Sequence, residues 1–311
     1  MKRVLVIGAS GSIGYALVNE LVNRGWEVIA FARNEEKLRS LFGHHDHVTI
    51  QSGDARNKQD IAKAAKGVEV LFHSLNFPYH QWEENLFICL QNILSVAEES
   101  DSKVAYVDNV YAYGIPSRSP ITESVEKRPH TKKGKIRLAL EQRLMTSSVP
   151  TLLVHMPDVY GPNANGTILH ETLKSVVKGQ TGIFVGNLRT KREFLYTIDG
   201  AKAMVELSLR DDCYNQIWNI PSTHSITGYE IMKLLRTEVS YNKKIIPISK
   251  AMIRFMGLFS PLMRELVEMM YISETPIILS GEKYENEIGA LPKTPYQVGL
   301  IETIEWLKKH D

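Results

Sequence analysis

A doubly wound α/β fold around a parallel sheet is predicted by two features: short apolar runs that alternate with helical periodicity, and a glycine array between the first run and the first helix. Residues 3–7 (RVLVI) suit a buried strand, and Ile13, Leu17 and Leu21, with Ala16 beside them, then recur at helical spacing. Residues 27–32 (EVIAFA) make a second strand. The alternation continues through VTIQ, a helix around Lys58 to Ala65, VEVLFH, a helix from Glu83 to Glu98, and KVAYVD. Strands in such a series pair in parallel through right-handed crossovers. A helix from about Gly134 to Thr146 leads past Val149-Pro150 to the strand TLLVHM. Beyond Gly161 come a helix near Ile168 to Lys178, the strands GIFV and QIWNI, and a Thr227-Gly228-Tyr229-Glu230 capping box opening a further helix. No repeat or free linker separates these parts, so the second lobe is expected to be woven into the first.

The composition narrows the partners. The 311 residues are 43% hydrophobic and 23% charged, as in an ordinary soluble globule. A net charge of +2 arises from 37 basic and 35 acidic residues, so neither nucleic acid nor a membrane is an expected partner. Cys89 and Cys213 belong to no ligand spacing, which fits a reducing compartment. The opening MKRVLVIGASG has too short an apolar run for a signal peptide, and a cytoplasmic location is expected. AMIRFMGLFSPLMRELVEMM is interrupted by Arg254, Pro261, Arg264, Glu265 and Glu268. A bilayer span needs ~20 mostly apolar residues, so this segment reads as a buried or interfacial helix. HHDH, His44 to His47, falls in a loop before a strand, and no metal site is expected.

GASGSIG places Gly8, Gly11 and Gly14 directly after the first strand. The first glycine permits the turn, the second lets backbone amides approach a pyrophosphate, and the third allows close helix packing, so a dinucleotide cofactor is expected, with Ser10, Ser12 and Ile13 completing its loop. After the second strand the chain reads Ala32-Arg33-Asn34. A carboxylate there would repel a 2′-phosphate, whereas Arg33 can bind one, so NADP is favoured over NAD; the alternative is a solvated loop charge. Asp54 can accept the adenine amino group or form an Asx turn. Ala55 and Pro157 are expected to line the cofactor too. The expected domains are a Rossmann NADP-binding domain at 1–165 with about 195–225, and a smaller C-terminal α/β substrate lobe at 166–194 with 226–311.

With these residues, and with VAYVDNVYAYG, KGKIRLALEQ, VHMPDVYGPNA and KREFLYTIDGAKAM, the chain resembles the extended short-chain dehydrogenases and reductases, which include nucleotide-sugar epimerases and dehydratases. The resemblance implies three catalytic positions. A serine or threonine is expected five residues before the glycine of a Tyr-Gly pair, and Asn109 stands there. A tyrosine and a lysine are expected at i and i+4 on the next helix; counted back from Glu141, Lys133 and Arg137 stand there. Gly134 and Glu141-Gln142 keep the family frame. Relatives identified only as NAD-dependent epimerase/dehydratase family proteins are similar in having the Asn-x-Tyr-x-Tyr-Gly and Lys-Gly-x-x-Arg patterns.

Lys133 and Arg137 lie one helical turn apart and can both approach the nicotinamide ribose. Burial of Lys133 beside a second cation would make it a proton shuttle. Tyr111 is the other candidate: in an extended segment it faces the same side as Asn109, where the two cations would hold its phenol pKa down. The alternatives are aromatic packing for Tyr111 and a solvated helix face for the cations. Asp158 can contact substrate or cap a turn, with Tyr160 beside it. The resemblance gives Arg192 the role of gripping a substrate phosphate, against a surface charge cluster with Arg189 and Lys191. The expected function is an NADP-dependent oxidoreductase, epimerase or dehydratase with altered proton chemistry, acting on a small polar or nucleotide-linked, anionic substrate. The alternative is a non-catalytic NADP(H) sensor. A homodimer is implied by the resemblance alone.

Overall fold

The computed structural model describes residues 2–310. Its first lobe runs β1 (Arg3–Ile7), α1 (Ser12–Asn23), β2 (Glu27–Ala32), α2 (Glu35–Phe42), β3 (Val48–Ser52), α3 (Lys58–Ala64), β4 (Val70–His73), α4 (Trp82–Glu99), β5 (Lys103–Asn109), α5 (Lys132–Met145) and β6 (Thr151–Met156). There follow β7 (Asp158–Tyr160), α6 (Ile168–Val177), β8 (Gly182–Val185), β9 (Phe194–Tyr196), α7 (Thr197–Ser208), β10 (Gln216–Asn219), α8 (Gly228–Val239), β11 (Ile245–Ile248), α9 (Lys250–Met256), α10 (Pro261–Val267), α11 (Tyr271–Glu274), α12 (Glu282–Glu287) and α13 (Tyr296–His310).

Seven parallel strands form one sheet in the order β10-β6-β5-β4-β1-β2-β3. β1 is central, with Val4 paired to Val28 on one side and Val70 on the other. Residues 4–7 are fully buried. Helices cover both faces of such a sheet, which is why its strands read as continuous apolar runs. Between β1 and β4 the strand order reverses. That switch point, at the C-terminal ends of the strands, is where open α/β sheets bind ligands.

One core packs α1 and α7 on one face, centred on Leu17, Leu21, Met204 and Trp218; the other packs α3, α4 and α5 through Ile61, Leu90, Ile93 and Leu140. A third core, with Leu169, Phe184, Phe194, Ile231 and Ile304, belongs to the second lobe, whose strands pair as β8 with β11 and β7 with β9. The chain returns to the first core near its end. Tyr284 of α12 and Leu291 pack into the same core as α1 and α7. Helix α2 escapes the sequence pattern, because only Leu38 and Phe42 are buried in a polar octet.

Among the described residues no helix is long and apolar enough to cross a membrane. Helices α9 and α10 instead form a short hairpin, and α10 lies against the turn at Tyr79–Gln81 with its Glu265 paired to Lys133 of α5.

Candidate active site

Three glycines shape the loop from β1 to α1. Gly8 has φ +90°, and a Cβ there would lie 3.0 Å from the backbone of Ser74 and Leu75, just past β4. A Cβ on Gly14 would lie 2.1 Å from the Gly8 carbonyl oxygen, so only glycine lets α1 approach this closely. Gly11 is the N-cap of α1; no side chain among the described residues caps it, and the first turn carries no acid. Uncapped amides at the positive end of a helix attract an anion. Ser10 and Ser12 are half-buried around Gly11, while Ile13 and Pro157 are buried. Asn163, in the segment after β7, donates its Nδ2 to the carbonyls of Ser10 (3.2 Å) and Gly11 (3.3 Å) and so pins the loop. Open amides without obstructing side chains fit a dinucleotide pyrophosphate.

Arg33 is exposed just past β2, and Asn34 caps α2 by accepting from the Lys37 amide at 2.8 Å. The Asp54 carboxylate takes the Arg56 guanidinium at 2.5 Å and accepts the Arg56 amide at 3.0 Å. The Arg56 side chain is the main reason its pKa sits below the ordinary carboxylate range; burial opposes this, and Arg33 adds a smaller pull. Of its two candidate roles, Asp54 fills the Asx turn. Ala55 is buried, and its carbonyl accepts from Asn92 at 3.1 Å.

The N-terminal turn of α5 is capped by the Thr131 hydroxyl, which accepts from the Gly134 amide at 3.0 Å. A Cβ on Gly134 would lie 2.7 Å from the Tyr111 carbonyl oxygen, so this glycine sets α5 against the end of β5. Lys133, Arg137 and Glu141 then fall at successive i+4 positions on the buried face. Each is paired. Lys133, 2% exposed, is held by Glu265 and by Glu268 Oε1 (2.8 Å), the first from α10 and the second just beyond it. Arg137 meets Asp108 at 3.1 Å, lies 4.1 Å above the Trp82 ring and donates to Asn76 Oδ1 at 3.3 Å. Glu141 accepts from Lys127 and contacts His155 Nε2 at 3.2 Å, and the other His155 nitrogen meets Tyr113, whose hydroxyl donates to Asn219 at 2.8 Å.

Two expectations for this region are corrected. Lys133 is flanked by carboxylates, not by a second cation, since a buried ammonium requires opposite charge. Residues 110–113 form a 3-10 turn instead of an extended segment, because Asn109 Oδ1 accepts the Tyr111 amide at 3.0 Å and caps it. The Tyr111 hydroxyl bonds that of Tyr79 at 2.9 Å, and the ring stacks on Trp82 at 6.0 Å. Loss of solvation, then Tyr79 and Asp158, raise the Tyr111 pKa well above its ordinary value, and Arg137 opposes this only weakly. The phenol is therefore not held down by cations. Burial likewise pushes Tyr79 up to about 12.

On the second-lobe side, Arg192 Nη2 binds Asp158 at 2.6 Å and Nη1 donates to the Val185 carbonyl at 2.8 Å. The guanidinium is 3% exposed. The guanidinium is thus not part of a surface charge cluster with Arg189 and Lys191: a buried arginine needs fixed partners, and here they are the Asp158 carboxylate and the Val185 carbonyl. Asp158 in turn stands close enough to raise both Tyr79 and Tyr111. Tyr160 is core, 1% exposed and packed against Tyr196 and Tyr296, so its expected substrate contact is also corrected.

A model of the NAD dependent epimerase/dehydratase family matches residues 4–220. The chain belongs to that family. Over 74 residues it is 40% identical to a 3-beta-hydroxysteroid dehydrogenase of Mycolicibacterium neoaurum, a match that covers 24% of this chain and 19% of that protein. The fold is similar to that of dTDP-glucose 4,6-dehydratase of Bacillus anthracis in complex with NAD, at TM-score 0.82 and 17% identity over 100% of this chain and 98% of the other. It is also similar to UDP-glucose 4-epimerase of Thermotoga maritima with UDP-glucose, at TM-score 0.81 and 18% identity over 99% of both chains. At such identities the likeness establishes the fold.

Within this epimerase/dehydratase chain, sequence reasoning missed Tyr79, Trp82, Asp108, Glu265, Glu268 and Asn163. Asp108 was legible in principle, as a lone carboxylate in a buried strand. The others lie far along the chain from the groups they touch.

Proposed function

We propose that the protein is an NADP-dependent oxidoreductase of the epimerase/dehydratase family that reduces a carbonyl group in a small polar or nucleotide-linked substrate, with Tyr111 as proton donor. The nicotinamide, when bound, supplies the hydride. The glycine loop would hold the pyrophosphate, and exposed Arg33 would meet a 2′-phosphate. The observation that carries the proposal is the Tyr79–Tyr111 hydroxyl pair beside Asp158, while Lys133 and Arg137 are committed to ion pairs. A phenol whose pKa lies well above the ordinary value stays protonated at working pH. A protonated phenol can give its proton to the alkoxide oxygen that forms as a carbonyl accepts hydride. Asn109 would act by capping the turn that presents Tyr111.

The test is NADPH oxidation across a panel of aldehydes, ketones and 4-keto nucleotide sugars, beside NADP reduction with the matching alcohols. NADPH oxidation with at least one class of carbonyl compound is the expected result. The second proposal, a non-catalytic NADP(H) sensor, is favoured by the ion pairs that hold Lys133 and Arg137. Stoichiometric NADPH binding without turnover across the panel would decide for it.

A further inference from the structure

The hairpin of α9 and α10 has its faces reversed. Met252, Phe255, Met256, Leu258, Phe259 and Leu262 are between 43 and 80% exposed, while only Ile253 of α9 is buried. The hairpin is nonetheless well formed: a Cβ on Gly257 would lie 3.2 Å from the Arg264 backbone, Arg264 Nε donates to the Gly257 carbonyl at 3.3 Å, and Ser260 caps α10. Phe255 and Phe259 meet edge to face at 6.0 Å. The acids lie on the other side, where Glu265 binds Lys133 and Glu268 accepts the Lys132 amide at 3.0 Å. A surface helix that turns its carboxylates inward and its apolar side chains outward marks a contact surface.

Basic residues dominate the stretch that leads into and forms its outer side, with Lys250 paired to Glu274 at 3.6 Å. From residue 239 to 264 there is no Asp or Glu, whereas Lys243, Lys244, Lys250, Arg254 and Arg264 all fall in that stretch. Lys243, Lys244 and Arg254 are exposed. We propose that this hairpin docks on an anionic lipid bilayer, its apolar tip entering the acyl boundary and its basic residues meeting the headgroups. A protein partner fits less well. Six tip residues fall short of the roughly 20–30 residues a side of a standard protein interface, and a second copy would bring the same basic stretch against itself. The expectation of no membrane partner rested on the charge balance of the whole chain, which says nothing of a local basic stretch beside an apolar tip.

The test is sedimentation of the full chain with vesicles of phosphatidylglycerol and phosphatidylcholine in equal parts, and with phosphatidylcholine alone. Binding to the mixed vesicles, weakened by added salt and largely lost on phosphatidylcholine alone, is expected. Phe255→Ser and Phe259→Ser should each reduce it about tenfold. Arg254→Glu should reduce binding on the mixed vesicles only. A Leu258→Cys variant carrying an environment-sensitive fluorophore tests the tip without deleting it, because Cys89 and Cys213 are buried. Its emission should rise and shift to the blue on mixed vesicles. No binding to either vesicle, or equal binding to both, overturns the proposal. So does a concentration-dependent dimer in analytical ultracentrifugation that Phe259→Ser abolishes, which would assign the hairpin to a second copy.

Discussion

Two helices start at the C-terminal edge of the sheet, and their first turns are finished in opposite ways. Helix α1 begins at Gly11 with no side-chain cap among the described residues and no acid in its first turn. Helix α5 begins at Thr131, whose hydroxyl takes the Gly134 amide, and the cations behind it are already matched by Glu265, Glu268 and Asp108. The first start is left open to an external anion, while the second is closed on internal ones. A charged residue at a family's catalytic position is thus not by itself a catalytic group. What decides is whether its charge is answered from within the chain.

The comparison breaks most visibly at Arg137. Arg137→Met would leave Asp108 as an uncompensated buried charge, and burial already raises the Asp108 pKa even with the arginine present. A loss of about 3 to 5 kcal/mol in urea unfolding is expected. A loss below about 1 kcal/mol would return Arg137 to the substrate side. At the open start, Gly14→Ala forces a Cβ against the Gly8 carbonyl, with an expected cost of about 2 to 3 kcal/mol and loss of nucleotide binding by titration calorimetry. Normal binding would misplace the pyrophosphate.

Smaller effects sharpen the same contrast. Arg33→Asp should shift the NADP-to-NAD preference by about 1.5 to 3 kcal/mol, measured by titrating both nucleotides, with little change in stability. An unchanged ratio removes Arg33 from the site. Lys133→Met should cost about 1 kcal/mol or less, since Glu265 and Glu268 are a third exposed and regain water. Hydrogen exchange should then rise in α10 and leave α1 untouched.

The open start was legible because its causes are local. Gly8, Gly11 and Gly14 lie within one loop, and the strand before it announces itself by composition. The closed start was not, because Lys133 and Glu265 are 132 positions apart and no periodicity links them. Tyr111 was misread for a different reason: one side-chain acceptor on Asn109 converts an extended pattern into a turn. Arg192 and Asp158 were both picked out, but not as each other's partner. In α9 and α10 apolar spacing marked helices without saying which face the protein covers.

Tyr111→Phe separates a phenol that gives the proton from a Lys133 ammonium that does. With any carbonyl compound the protein reduces, kcat of this variant should fall about 100-fold or more while NADPH affinity stays within about threefold. The wild-type rate should show no titration of Tyr111 between pH 6 and 9, because its raised pKa keeps the phenol protonated throughout that range. A Tyr111→Phe variant that keeps the wild-type rate, together with a Lys133→Met variant that loses it, would make Lys133 the proton donor.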